Sequence, residues 1–160
     1  MRAPLPSRVG VVGLGLMGAS LARGLRALDP APGVAAAEAR AEVRARAVAD
    51  GVADEVHEGP GDWLAGCDVV VLCTPVAVIE ALLAPVSCRM REGAVLTDVG
   101  GAKERVVELA RQDVHRRATF VGAHPMFGGR GGYEAARADR WKGGKVAVCT
   151  DGAPPEAVER

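Results

Sequence analysis

Arg8-Val9-Gly10-Val11-Val12-Gly13-Leu14-Gly15-Leu16-Met17-Gly18-Ala19-Ser20-Leu21-Ala22-Arg23-Gly24-Leu25-Arg26-Ala27-Leu28 contains a strand, a turn and a helix in one uninterrupted stretch. Arg8 to Val12 is a short apolar run that reads as a buried strand. Leu21, Leu25 and Leu28 stand at helical spacing. Between them lies a GxGxxG pattern whose glycines have separate tasks. Gly13 permits the tight turn out of the strand. Gly15 has no Cβ, so a pyrophosphate can approach the backbone. Gly18 lets the helix pack closely on the strand. The free N–H groups and positive dipole end of the helix then face the phosphates. Preceded by a strand and followed by a helix, the pattern predicts dinucleotide binding, with Gly13, Leu14, Gly15, Leu16, Met17 and Gly18 as cofactor-binding residues.

Working outward, the rest of the chain repeats the strand-and-helix alternation. Asp29-Pro30-Ala31-Pro32-Gly33 breaks the chain, and Val34 to Ala37 forms a second strand ended by Glu38. Glu38 lies about twenty residues past Gly18, where a carboxylate accepts hydrogen bonds from the adenosine ribose hydroxyls. That favours NAD over NADP, since a 2′-phosphate is repelled there. Arg40 and Arg44 are near enough in sequence to offer a phosphate clamp instead. Ala41 to Asp50 reads as a helix stopped by Gly51. Val52 to Glu58 holds a short third strand, with His57 at the surface.

Asp62 to Cys67 reads as a short turn or helix. Asp68 to Cys73 is apolar nearly throughout, as a parallel strand covered on both faces should be. Thr74-Pro75 closes it before a helix from Val76 to Leu83. In a doubly wound sheet of order 3-2-1-4-5-6, this fourth strand lies beside the first. Thr74 and Pro75 then line the cofactor crevice at the switch point. Ala94 to Val99 is a fifth strand and Glu104 to Arg111 a helix. Thr119 to Ala123 is a sixth strand, followed by the Gly-rich stretch from His124 to Gly132. Tyr133 to Asp139 looks helical, Lys145 to Thr150 is a seventh strand, and a helix begins with Pro154-Pro155 near its first turn. The prediction is an α/β fold over residues 1–160: a Rossmann-type, doubly wound, mostly parallel sheet with helices on both faces.

Composition narrows the function. The chain has 160 residues, enough for one domain with a real core. Twenty basic and twenty acidic residues cancel, so no net field favours nucleic acid or an anionic membrane. Aromatics are 3%, too few for base-stacking platforms. No apolar run of membrane-spanning length occurs, and the first seven residues lack the apolar core of a secretion signal. Cys67, Cys73, Cys88 and Cys149 form no CxxC pair. They read as reduced thiols of a cytoplasmic protein rather than as disulfides or metal ligands. The expected partner is a small-molecule substrate.

His124 is the most informative polar residue. It stands at the carboxyl end of a predicted parallel strand, on the edge where the cofactor binds. Histidine holds or removes a proton near neutral pH. A loop histidine bonded only to the backbone is the alternative.

Three stretches resemble the prephenate and arogenate dehydrogenases of tyrosine biosynthesis. They are Asp98-Val99-Gly100-Gly101-Ala102-Lys103, Phe120-Val121-Gly122-Ala123-His124-Pro125-Met126-Phe127-Gly128, and Tyr133-Glu134-Ala135-Ala136-Arg137-Ala138-Asp139. Gly13 to Leu21 and Cys73-Thr74-Pro75-Val76 look like the same family. The resemblance covers nearly the whole chain and implies oxidative decarboxylation. His124 would hydrogen-bond the ring hydroxyl of prephenate, hydride would pass to NAD, CO2 would leave and the ring would become aromatic. The product would be 4-hydroxyphenylpyruvate, or tyrosine from arogenate. The resemblance also implies Asp98 and Gly101 as cofactor-side residues.

Three departures accompany it. The family usually carries a serine where this chain has Gly101, and that hydroxyl would touch the histidine. The loop after His124 is about one residue short, with Gly129 and Arg130 in place of a small hydroxyl residue and an acid. The family's helical C-terminal domain, which makes the dimer and supplies an arginine for the substrate carboxylate, has no counterpart in these residues. The GLGLMG turn also resembles β-hydroxyacid dehydrogenases, which take a catalytic lysine from a C-terminal helical domain. A non-catalytic nucleotide-binding module is the remaining alternative.

Overall fold

The chain's structure, a computed structural model, describes residues 5–150 and 152–159. Seven strands form one sheet: β1 (Arg8–Val12), β2 (Gly33–Ala37), β3 (Glu55–His57), β4 (Val69–Leu72), β5 (Ala94–Asp98), β6 (Ala118–Pro125) and β7 (Val146–Cys149). Their order is β3-β2-β1-β4-β5-β6-β7. Pairing is parallel from β3 through β6, and β7 closes the edge antiparallel to β6. The order reverses between β1 and β4, so the predicted switch point exists.

Five helices cover the sheet: α1 (Leu16–Arg26), α2 (Ala41–Ala49), α3 (Val76–Ser87), α4 (Glu104–Asp113) and α5 (Pro155–Val158). Alternate strand residues feed two apolar layers. Val9, Val11, Val69, Val71 and Val121 pack with Ala19 and Ala22 of α1, Val43 and Ala47 of α2 and Ala157 of α5. Val12, Val70, Leu72 and Leu96 pack with Ile79, Leu83 and Val86 of α3 and Val106 and Ala110 of α4. Strands buried on both faces are therefore apolar without interruption, as β4 is. Side chains in β2 beyond Val34 are all alanine, short enough to bring the helices close.

Five local expectations are adjusted. The helix read from Ala19 to Leu28 begins at Leu16, inside the glycine turn, and ends at Arg26. α3 runs through Pro85 to Ser87. The stretch Tyr133–Asp139 is not a helix; only Tyr133–Ala135 makes a 3₁₀ turn, and Ala136 is extended at ψ 139°. Tertiary partners replace helical ones there: Arg137 N–H donates to Ser20 Oγ at 3.0 Å and Arg23 donates to the Ala136 carbonyl at 3.0 Å. β6 continues to Pro125, so His124 lies within the strand and pairs with Ala147 of β7. His57 is half-buried rather than a plain surface residue, stacked on Trp63 with ring centroids 5.1 Å apart.

Candidate functional site

The glycine turn is built as its spacing demands. Gly13 has φ +94°, and its N–H donates to the Ala37 carbonyl at 2.8 Å. A Cβ on Gly13 would meet the Cys73 carbonyl oxygen at 2.8 Å, so the turn touches the end of β4. A Cβ on Gly18 would fall 1.9 Å from the Gly13 carbonyl oxygen. Gly15 is different: a Cβ there would meet nothing within 4 Å. Gly13 and Gly18 are thus required by the protein's own packing, whereas Gly15 faces open space. Gly15 is also the N-cap of α1, with no side-chain cap and no acidic residue in the first turn. The first-turn N–H groups lack partners inside the helix and point at that space.

The space is a cleft of about 610 Å³. Gly13, Gly15 and Leu16 form its floor, Glu38 and Arg40 one side, and Thr74 and Pro75 the other. Gly131 and Gly132 of the β6–β7 connection also line it. Leu14 is buried in the core and contributes only its backbone. Met17 presents its carbonyl to Trp141 Nε1 at 3.3 Å and does not line the cleft. Thr74 Oγ1 is buried and without a hydrogen-bond partner among the described residues. The open side of Gly15, the uncapped helix start and the orphaned Thr74 hydroxyl together suit a polar, anionic ligand with hydrogen-bonding groups.

Glu38 ends β2 with its side chain 7% exposed. Its Oε2 accepts the Leu14 N–H at 2.9 Å, tying the glycine turn to the second strand. Its Oε1 accepts both the backbone N–H and Nε of Arg40, at 3.0 and 2.9 Å. Burial alone would raise this carboxyl, but the Arg40 side chain and the two backbone donors outweigh it and hold it below the usual range. Arg44 is committed elsewhere, donating to the carbonyls of Glu38 and Ala39 at 2.8 and 2.9 Å. It is not arranged as the phosphate clamp its sequence position allows.

Asp98 ends β5 with no exposed surface. Its Oδ2 accepts the Gly100 N–H at 2.9 Å and the Lys103 ammonium; its Oδ1 accepts the Ala123 N–H at 3.2 Å. Lys103 Nζ also donates to the Ala123 carbonyl at 2.9 Å. One buried ion pair thus holds both backbone polar groups of the residue before His124. Asp98 therefore stands beneath the site surface rather than on it. Burial, aided by the Asp98 charge, pushes the Cys73 thiol well above its ordinary value, which keeps it an unreactive thiol.

Gly101 and His124 meet. A Cβ on Gly101 would lie 3.3 Å from His124 Nε2. Both stand at the carboxyl edge of the sheet, on β5's turn and in β6. They lie outside the lining of the cleft, which is formed mainly at the ends of β1, β2 and β4. No hydrogen bond engages the His124 imidazole among the described residues, and that does not fit a histidine whose task is to tie down a loop.

Sequence reading missed three residues of this arrangement. Lys103 follows Asp98 by a spacing that belongs to neither helix nor strand period. Gly131 and Gly132 reach the cleft only because the β6–β7 connection folds back over the glycine turn. Arg140 holds that connection, donating to the Gly128 and Ala135 carbonyls at 3.0 and 3.3 Å.

Residues 21–160 match the family model described as prephenate dehydrogenase, nucleotide-binding domain. A prephenate dehydrogenase of Lactococcus lactis subsp. cremoris is 31% identical over 120 residues, covering 74% of this chain and 33% of the relative. Among solved structures, Synechocystis arogenate dehydrogenase superposes with TM-score 0.84 at 28% identity, covering 94% of this chain and 53% of that one. The prephenate dehydrogenase of Aquifex aeolicus in complex with hydroxyphenyl propionate and NAD+ superposes with TM-score 0.85 at 25% identity, covering 99% and 56%. The chain spans between a third and about half of the length of these relatives.

Proposed function

The chain belongs to the prephenate dehydrogenase nucleotide-binding domain family, and from that premise we propose that it is the NAD+-binding half of a prephenate or arogenate dehydrogenase. The observation that carries the reading is the pairing of an open Gly15 cradle with an unengaged His124 on the same sheet edge. The ligand-bound Aquifex aeolicus relative supports the cofactor assignment.

Gly15 and the first turn of α1 bind the pyrophosphate through backbone N–H groups. Leu16 walls that site. Glu38 receives the adenosine ribose. Thr74 gives its orphaned hydroxyl to the cofactor, and Pro75 shapes the wall beside it. Asp98 fixes the turn carrying Gly101, which leaves room next to His124. When bound, the nicotinamide supplies the carbon that accepts hydride.

His124 then accepts a hydrogen bond from the ring hydroxyl of the substrate. This raises electron density at the carbinol carbon, whose hydrogen leaves with its electron pair. The bond from the ring to its carboxylate breaks, CO2 departs, and that electron pair completes the aromatic ring. The phenol keeps its proton, so His124 polarises and holds rather than consuming a proton. The expected setting is the cytoplasm, and the expected partner is a second copy joined through a C-terminal domain. No helix among the described residues is long and apolar enough to cross a membrane.

The test uses a protein carrying this domain together with the relatives' remaining length. NADH appearance with prephenate, and separately with arogenate, should depend on His124. Losing one hydrogen-bond partner aimed at the developing charge costs about 10²–10³-fold, so His124→Asn should lower turnover by that order with NAD+ affinity nearly unchanged. Wild-type turnover with the same pH profile in the variant would reduce His124 to a loop residue.

A further inference from the structure

Glu38 has no acceptor site left. A carboxylate offers about four lone-pair positions. On Oε2 these are taken by the Leu14 N–H at 2.9 Å and Arg40 Nη2 at 3.3 Å. On Oε1 they are taken by the Arg40 N–H at 3.0 Å and Arg40 Nε at 2.9 Å. The two backbone donors are part of the fold. The two side-chain donors are not: they approach in parallel, one to each oxygen, as a vicinal diol would.

We propose that Arg40 is a self-ligand that occupies the ribose-diol position on Glu38, must swing away for a dinucleotide to bind, and then sets the discrimination between NAD+ and NADP+. This rests on the dinucleotide reading of the cleft. Mobility suits Arg40. Its side chain is 52% exposed, whereas that of Glu38 is 7% exposed, so the guanidinium moves and the carboxylate stays. Besides Glu38, which holds the guanidinium through its hydrogen bonds, Glu42 and Glu134 lie close enough to favour its charge.

The consequences differ for the two cofactors. With NAD+, both ribose hydroxyls donate to Glu38, and Arg40 is only a competitor to be displaced. With NADP+, a phosphate replaces the 2′-hydroxyl, one donor to Glu38 is lost, and the displaced guanidinium is the cation at hand for the phosphate. Arg44 cannot serve equally, since two carbonyls hold it in place. One side chain thus weakens NAD+ binding and supports whatever NADP+ binding the protein has.

Calorimetric titration of the wild type, Arg40→Ala and Arg40→Met with NAD+ and with NADP+ tests this. An ion pair with its cation half in solvent is weak, so NAD+ should bind about two- to fivefold more tightly to both variants. NADP+ should bind about tenfold more weakly, as a charge-assisted phosphate contact is lost. The ratio of the two affinities therefore widens from both sides. Unchanged affinities, or equal losses for both cofactors in well-folded variants, would overturn the role of Arg40 and leave the dinucleotide site standing. A wild-type chain that binds neither cofactor would overturn the site itself, and the role of Arg40 with it.

Discussion

The backbone N–H of Ala123 donates to Oδ1 of Asp98 at 3.2 Å, with Lys103 on the other oxygen and on the Ala123 carbonyl. The strand position next to His124 is therefore fixed from below by a buried charge pair. Removing one member leaves the other charge uncompensated, which costs about 3–5 kcal/mol. Asp98→Asn and Lys103→Met should each lower the melting temperature by about 10 °C, read by thermal unfolding. Asp98 is 0% exposed, so Asp98→Asn should not act by removing a cofactor contact at the surface. A shift of a degree or less would show that the pair does not anchor β6.

The glycines of the turn separate fold from function. Gly18→Ala places a methyl 1.9 Å from the Gly13 carbonyl, so it should lose stability and NAD+ binding together. Gly15→Val adds its side chain to open space. It should cost at most about 1 kcal/mol, as a poorer N-cap, while abolishing dinucleotide binding. Denaturant unfolding beside ligand titration distinguishes the two. If Gly15→Val binds as the wild type does, the phosphates do not sit there.

Acid should destabilise the fold in a defined direction. Asp68 accepts Ser7 N–H and Oγ, Arg8 N–H and Arg91. Burial opposes its ionisation, but these donors outweigh it and hold the carboxyl well below its ordinary value. Glu38 is depressed by Arg40 and two backbone donors against burial. Asp54 is depressed chiefly by the Val34 N–H. Groups depressed in the folded state stabilise it above their unfolded values and lose that contribution as pH falls. Urea midpoints should be flat near neutrality and drop below about pH 4, and Asp68→Asn should flatten that drop. A midpoint that holds down to about pH 2.5 would contradict this.

The 160 residues by themselves should turn over prephenate far below the enzyme median of about 10 per second. Their relatives are roughly twice as long, and Met126, Val146 and Val148 around the His124 edge are exposed apolar side chains. A steady-state assay checks it. Turnover near that median would show that no further length is needed. Gly101→Ser is its companion in the longer protein: placing a hydroxyl beside His124 Nε2 should raise the rate if Gly101 marks a weakened site.

What was legible in the sequence was local. The glycine turn declared itself because its three glycines stand at a fixed spacing between a strand and a helix, and Glu38 because the length of a βαβ unit fixes where β2 ends. Strand β4 was plain because burial on both faces leaves no polar residue in it. The rest depends on distant partners. Tyr133–Asp139 has a helical composition, yet Ser20 and Arg23, far back in the chain, take its backbone groups. The Asp98–Lys103 pair follows no period. That Arg40 fills Glu38 is a matter of side-chain geometry, and sequence position showed only that an arginine was near. Gly101 meeting His124 was anticipated from family resemblance and is a contact between neighbouring strands, which no local pattern encodes.

The most direct test of the whole account is calorimetric titration of the chain with NAD+, in the wild type and in Gly15→Val. The wild type should show one site per chain and the variant none, with both proteins folded. Absence of NAD+ binding by the folded wild type, or equal binding by Gly15→Val, would contradict it.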